Sequence, residues 1–222
     1  MKKRHFWAAI TIMVLAIVMA VSFVACNGDK NPANMKGEEV TAEQWVKAFD
    51  YSDVKNATIN QVTTGTEDGI EFTITEVTEY DGDKIHTKKT TEYIDEEDGL
   101  QKEVDESYVA KEGDKVYRYS YDEEEKTWSR EELSYNVDLS IGNFDQLSDN
   151  FSKFTYDKDK NGYVGNLEGY NVLIKIIGGK FVYAEQTITN SDDGMTTKFT
   201  LTISGVGSTS ISLPPVAEDN NN

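Results

Sequence analysis

The stretch with the most recognisable chemistry is Asp157-Lys158-Asp159-Lys160-Asn161-Gly162-Tyr163-Val164, followed by Glu168. Oxygen-bearing side chains at Asp157, Asp159 and Asn161, a glycine after them and a carboxylate at Glu168 fit positions 1, 3, 5, 6 and 12 of an EF-hand loop, where hard oxygen ligands surround calcium. An EF-hand also needs a helix on either side. Phe154 to Tyr156 reads instead as strand, and Tyr170 to Ile177 is an apolar run rich in β-branched residues. Asn161-Gly162 is in addition a favoured hairpin turn. The expectation is an ordinary hairpin without metal, with a weak non-helical calcium loop at Asp157, Asp159, Asn161 and Glu168 as the alternative.

Nucleophilic and zinc chemistry have few residues to draw on. Of the two histidines, His5 lies near the start and leaves His86 alone in the body, and Cys26 is the single cysteine. A Cys/His zinc site takes three or four ligands, and a Ser or Cys nucleophile usually takes a histidine base oriented by a third group. His86, with Thr87, Lys88 and Lys89 after it, reads as an exposed strand residue. The 40 Asp and Glu residues supply many carboxylate pairs for glycoside hydrolysis, yet no spacing selects one. No catalytic residue and no cofactor is expected. Tyr117, Tyr119 and Tyr121 alternate onto one strand face, where they could cover a sheet or line a ligand platform.

Cys26 has a different chemistry open to it. Lys2, Lys3 and Arg4 precede an apolar run from Phe6 to Ala25, which closes on Val24-Ala25-Cys26. This leader resembles a bacterial lipoprotein signal, and the resemblance implies that Cys26 becomes the lipidated, palmitate-bearing first residue of the mature chain. An uncleaved anchor is the alternative, since about 20 apolar residues span a bilayer. Both readings place the body outside the cytoplasm. Without the three leader cations a mature chain carries 19 basic against 40 acidic residues, a net charge of −21. Such a chain repels nucleic acid, so the membrane held through lipidated Cys26 is the expected partner.

The remaining sequence must supply the scaffold. Residues 1–25 read as signal peptide, 26–39 as a flexible Gly/Pro/Asn-containing tether, 40–215 as one β-rich domain and 216–222 as a disordered tail. Thr41 with Gln44 forms a helix-starting pair flanked by Val40 and Trp45, and Trp45, Ala48 and Phe49 share a face of a helix ending near Asp50 or Tyr51. Turn pairs then recur at Asp68-Gly69, Asp81-Gly82, Asp98-Gly99, Glu112-Gly113, Asn161-Gly162, Gly178-Gly179 and Asp193-Gly194. Between them Ile70, Phe72 and Ile74 alternate with Glu71, Thr73 and Thr75, and Phe199, Leu201 and Ile203 with Lys198, Thr200 and Thr202, so one sheet face is buried. Phe144, Leu147 and Phe151 are spaced as on a helix, predicting a second one over 141–151. Tyr117 to Trp128 and Phe151 to Tyr163 look like two hairpins of one type, each passing through Tyr-Asp and a charged turn.

Leader, tether, Trp45-containing helix, antiparallel meander, helical insertion and a last strand closing on Ile211-Ser212-Leu213-Pro214 together resemble the LolA/LprG-like lipoproteins. The resemblance implies an α+β fold, a strongly curved and mostly antiparallel half-barrel covered by two or so short helices, with an apolar or lipid ligand held between sheet and helices. Trp45, Phe49, Phe72, Ile74, Phe144, Phe199 and Leu201 are the candidate walls of that cavity, chosen by alternation and helical spacing. A non-enzymatic, surface-tethered binding lipoprotein is therefore the favoured function. A cell-surface interaction protein with a packed core is one alternative, and a carboxylate-dependent hydrolase another.

Overall fold

The computed structural model describes residues 32–216 apart from 68, 96, 97, 123, 136, 138, 140, 142, 143 and 190–195. The leader, Cys26, the tail from 217 and the expected Asp193-Gly194 turn lie outside the described residues.

Two meanders build one antiparallel sheet. The first comprises β1 (Asn56–Glu67), β2 (Ile70–Asp81), β3 (Lys84–Asp95), β4 (Gly99–Glu112), β5 (Lys115–Asp122) and β6 (Thr127–Glu132). The second comprises β7 (Phe154–Asp157), β8 (Gly162–Leu167), β9 (Tyr170–Ile177), β10 (Lys180–Thr189) and β11 (Thr196–Ser204). Because β11 pairs with β1, the order is β6-β5-β4-β3-β2-β1-β11-β10-β9-β8-β7, an open sheet with β6 and β7 at its ends. The turn pairs punctuate it as expected. Gly69, Gly82, Gly99, Gly113, Gly178 and Gly179 all have φ between +61° and +81°, where a side chain would be strained.

The two similar hairpins share one turn. Asp122 Oδ1 accepts the N–H groups of Glu124 and Glu125 at 2.9 and 2.9 Å, and Asp157 Oδ1 those of Asp159 and Lys160 at 2.9 and 3.1 Å. Lys126 and Asn161 then close the two loops at φ +54° and +52°. An aspartate facing two backbone donors is thus what the shared Tyr-Asp pair encodes.

Register divides the side chains between an inner and an outer face. Ala57 and Ile59 of β1 share the inner face with Leu201 and Ile203, Ile174 and Val172, Tyr163 and Phe154, and all are buried. The helix α1 (Ala42–Ala48) lies over them. Its start is a capping box, in which Thr41 Oγ1 accepts the Gln44 N–H and Gln44 Oε1 accepts the Thr41 N–H. Trp45, Ala48 and Phe49 are at most 1% exposed, so the apolar face read from the sequence is the one that packs.

Among the described residues one helix of any length covers the sheet, against the two or so expected. Over 141–151 the chain makes a single helical turn, α2 (Asp145–Ser148), followed by a 3-10 turn at Phe151–Lys153. Ile141 and Phe144 are buried and Leu147 and Phe151 pack beside them, so the apolar spacing is used without a continuous helix. The helical turn gives out at Ser148, Asp149 and Asn150, residue types of low helix propensity. The Trp45 Nε1–H donates to the Leu147 carbonyl at 3.1 Å and ties this turn to α1.

The segment expected as tether is partly docked. A 3-10 turn at Pro32–Asn34 and Met35 sit on the outer face against Leu173, Ile177 and Tyr183, and the Lys175 ammonium donates to the carbonyls of Ala33 and Met35 at 2.5 and 3.0 Å. Gly37 N–H donates to Asn161 O, Glu38 N–H to Ile176 O, and the Glu38 carboxylate accepts from Gly178 and Gly179. From Pro32 to Glu39 the chain is therefore a strap that passes two hairpin ends to reach the inner face. Its cause is Lys175, which sits in an apolar strand 4% exposed and needs acceptors there.

Candidate functional site

The candidate cavity residues fall into two groups. Trp45, Phe49, Phe144 and Leu201 meet in the main apolar cluster, with Phe199 packed half-buried against it. Ring centroids there lie 4.9 Å apart for Trp45 and Phe49, 5.7 Å for Phe49 and Phe144 and 4.8 Å for Phe144 and Phe181, which is ring-to-ring contact. Phe72 and Ile74 form a separate small cluster with Tyr93 further along the inner face. The main cluster takes buried residues from β1 and β7 to β11 and none from β3 to β6. Tyr51 completes it from above, donating its hydroxyl to the Phe181 carbonyl at 2.9 Å, with burial pushing that hydroxyl's pKa far up.

The calcium-like residues do not converge. Asp157, Asp159 and Asn161 belong to the β7–β8 turn, whereas Glu168 sits in the β8–β9 turn at the other end of the strand Gly162–Leu167. At about 3.3 Å per residue, that strand keeps the two turns roughly 20 Å apart. Asp157 already spends one oxygen on backbone donors. Among the described residues no group of three or more His, Cys, Asp and Glu side chains is placed to hold a metal ion.

The outer face of β2 to β6 carries the richest arrangement of polar and aromatic groups. Register places His86, Tyr108, Tyr119 and Arg130 in one row and Tyr121 beside Trp128. His86 is not an exposed strand residue but is 13% exposed at its side chain, with Nδ1 2.7 Å from Glu79 Oε2 and Nε2 3.0 Å from Glu106 Oε1. Its ring stacks on Tyr108 at 4.3 Å and 14°, and Trp128 stands edge-on to Tyr108 at 5.3 Å. With both ring nitrogens occupied, His86 is a cross-strand strut rather than an open base. Desolvation alone would raise the Glu106 carboxyl, but hydrogen bonds from Lys88, His86 and Tyr108 outweigh it and hold its pKa low. Burial, then the bond to Glu106 and the charges of Glu106 and Glu79, push the Tyr108 hydroxyl up to about 12. The three tyrosines do share this face as the alternation suggested. Tyr119 is buried and bonded to Glu112, Tyr117 lies under the Arg130 guanidinium at 4.8 Å, and Tyr121 is 42% exposed.

Beside this row the sheet parts. The β4–β5 ladder runs only from Ser107↔Ser120 to Glu112↔Lys115, so the tip of the β5–β6 hairpin leaves β4. A cleft of about 940 Å³ opens there, lined by Val104, Glu106, Tyr108, Tyr121 and Trp128 of the outer face and by Glu76, Lys89, Asp105 and Ser120 of the inner face. Burial raises the Glu76 carboxyl, partly offset by the charge of Lys89 across the ladder. Along β4, Leu100 and Val104 are 71% and 37% exposed, and the neighbouring Ile94 is 53% exposed. Sequence reading missed this stripe, because Leu100 and Val104 stand among Lys102, Glu103, Asp105 and Glu106 and only the register shows that Ile94, Leu100, Val104 and Tyr121 share one face. No family model matches the chain, and no curated protein matches it either.

Proposed function

We propose that the chain is a lipid-anchored interaction protein of the cell surface, with a filled core and a working surface on the outer face of β3 to β6. One observation carries this reading. Three of the candidate cavity rings, Trp45, Phe49 and Phe144, are in contact with one another, while four of the large apolar side chains left exposed, Ile94, Leu100, Val104 and Tyr121, gather on that outer face. Exposed apolar side chains gathered into a patch mark interaction sites. The LolA/LprG-like resemblance rests on the leader and on the order of elements in the sequence, and the large antiparallel sheet is compatible with it. A carrier of an apolar ligand is the second reading, favoured by the detached cluster of Phe72, Ile74 and Tyr93 beside an open groove of about 510 Å³.

Substitution at Leu201, 2% exposed within the main cluster, separates the two readings. In a filled core Leu201→Trp overpacks and lowers stability by roughly 1–3 kcal/mol, and the unsubstituted protein takes up no fluorescent fatty acid. Tolerance of the tryptophan together with saturable fatty-acid uptake would sink the filled-core reading in favour of the carrier. The anchor has its own measurement: Cys26→Ala removes palmitate labelling and membrane recovery, and a substituted protein that still labels overturns the lipoprotein assignment.

A further inference from the structure

We infer that the free edge of β4, from Gly99 to Glu106, is a docking site for an extended, basic polypeptide segment that adds one strand to the sheet. The inference rests on the reading of the chain as an interaction protein and names the partner class. In an antiparallel strand, alternate residues aim their N–H and C=O groups to opposite sides. The β3 ladder takes one side of β4 along its length, whereas β5 takes the other only from Ser107 on. Among the described residues no strand pairs with that side over Gly99–Glu106. Eight residues of strand, about 26 Å of backbone, are thereby left as a template for a further strand.

The two faces of this edge state what the added strand must carry. On the outer face Leu100 and Val104 stand exposed, with Tyr121 at the cleft beyond them, and alternate apolar side chains of a partner would cover them. On the inner face the edge shows Glu103 and Asp105, both exposed, in a chain of net charge −18. Lysine or arginine at the intervening positions matches them, and cross-strand pairs of opposite charge stabilise a ladder whereas like charges opposite each other oppose it. The same acidic residues disfavour a second copy of this chain, since pairing two such edges brings acidic side chains near acidic ones. Main-chain hydrogen bonds then supply affinity and the alternate side chains supply selectivity.

The test uses the detergent-solubilised full chain and a capped octapeptide of alternating valine and lysine. Hydrogen–deuterium exchange is followed by mass spectrometry over 99–106, with β9 as an internal reference and a fluorescent fatty acid in a parallel arm. The peptide is expected to slow exchange over 99–106 at least tenfold and leave β9 unchanged. The same peptide N-methylated at alternate residues, which keeps its charge but cannot form a ladder, and a valine–glutamate peptide both give no slowing. Leu100→Lys with Val104→Lys abolishes the slowing while β9 exchange stays as before; if that variant unfolds, the N-methylated peptide still decides. No slowing by the valine–lysine peptide, equal slowing by the N-methylated one, or protection without peptide that grows with protein concentration overturns the proposal, the last in favour of a second copy. Fatty-acid uptake would overturn the packed-core reading alone, so the two failures are told apart.

Discussion

Trp45→Ala is expected to cost roughly 3–5 kcal/mol, the range for removing a large buried aromatic side chain. Trp45 is 0% exposed and its ring meets Phe49, Phe151, Phe154 and Tyr163 at centroid distances of 4.9, 5.4, 5.2 and 4.9 Å. These partners come from the C-cap of α1, from the 3-10 turn after α2, and from β7 and β8, so one side chain joins the helical cover to the far end of the sheet. Removing its indole N–H also takes from the Leu147 carbonyl one of its two donors, leaving the Asn150 N–H at 3.1 Å. A domain of ordinary stability has about 5–15 kcal/mol in total, so the loss should leave a protein partly unfolded at modest denaturant concentrations. Trp45→Phe separates the contributions. It keeps ring packing but loses the hydrogen bond, for which about 0.5–1.5 kcal/mol is expected on top of the smaller cavity. Urea unfolding with unchanged slope and a lowered midpoint is the readout. A Trp45→Ala loss below about 1 kcal/mol would mean that the cluster does not hold the fold together as described.

The same residue shows what was legible in the sequence and why. The capping box at Thr41 and Gln44, the staple position of Trp45 and the spacing of Ala48 and Phe49 are local signals, and local signals fix a helix of seven residues wherever it packs. Hairpin turns were equally readable, because glycines at positive φ are required by the chain's own geometry. The second helix shortens to a single turn although Phe144, Leu147 and Phe151 have helical spacing, because periodicity records which positions are apolar and the Ser148-Asp149-Asn150 run between them has low helix propensity. Lys175 and the Pro32–Glu39 strap it holds depend on contacts more than 130 residues apart in sequence, which no periodicity records. The candidate site was the least legible part. Whether Leu100, Val104 and Tyr121 form a stripe depends on the register of three strands and on where one ladder stops.

Hydrogen exchange should therefore divide the sheet into two unequal halves, with the slowest amides of β9 and β11 exchanging roughly a hundredfold or more slower than those of β5 and β6, a gap of about 3 kcal/mol in opening free energy. β9 contributes Val172, Ile174 and Ile176 to the main cluster, and β11 contributes Leu201 and Ile203. By contrast β6 buries no residue, and Tyr119 and Ala110 are the buried side chains of β5 and β4. Beyond the aromatic row of Tyr108, Tyr121 and Trp128, side-chain contacts between those strands include exposed ion pairs: Lys115 with Glu132 at 2.5 Å, Arg130 with Glu112 at 3.0 Å and Lys102 with Glu92 at 2.7 Å, all with side chains more than a third exposed. Exposed pairs of this kind contribute about 0–1 kcal/mol each and are screened by salt. Raising the salt concentration should accordingly speed exchange in β5 and β6 while leaving β9 nearly unchanged. Trp45→Ala should do the reverse, lowering protection in β9 and β11 towards that of the outer strands. A uniform profile across all eleven strands, or β6 amides as slow as those of β9, would show that the sheet opens as one unit and that the outer strands are held by more than their ladder.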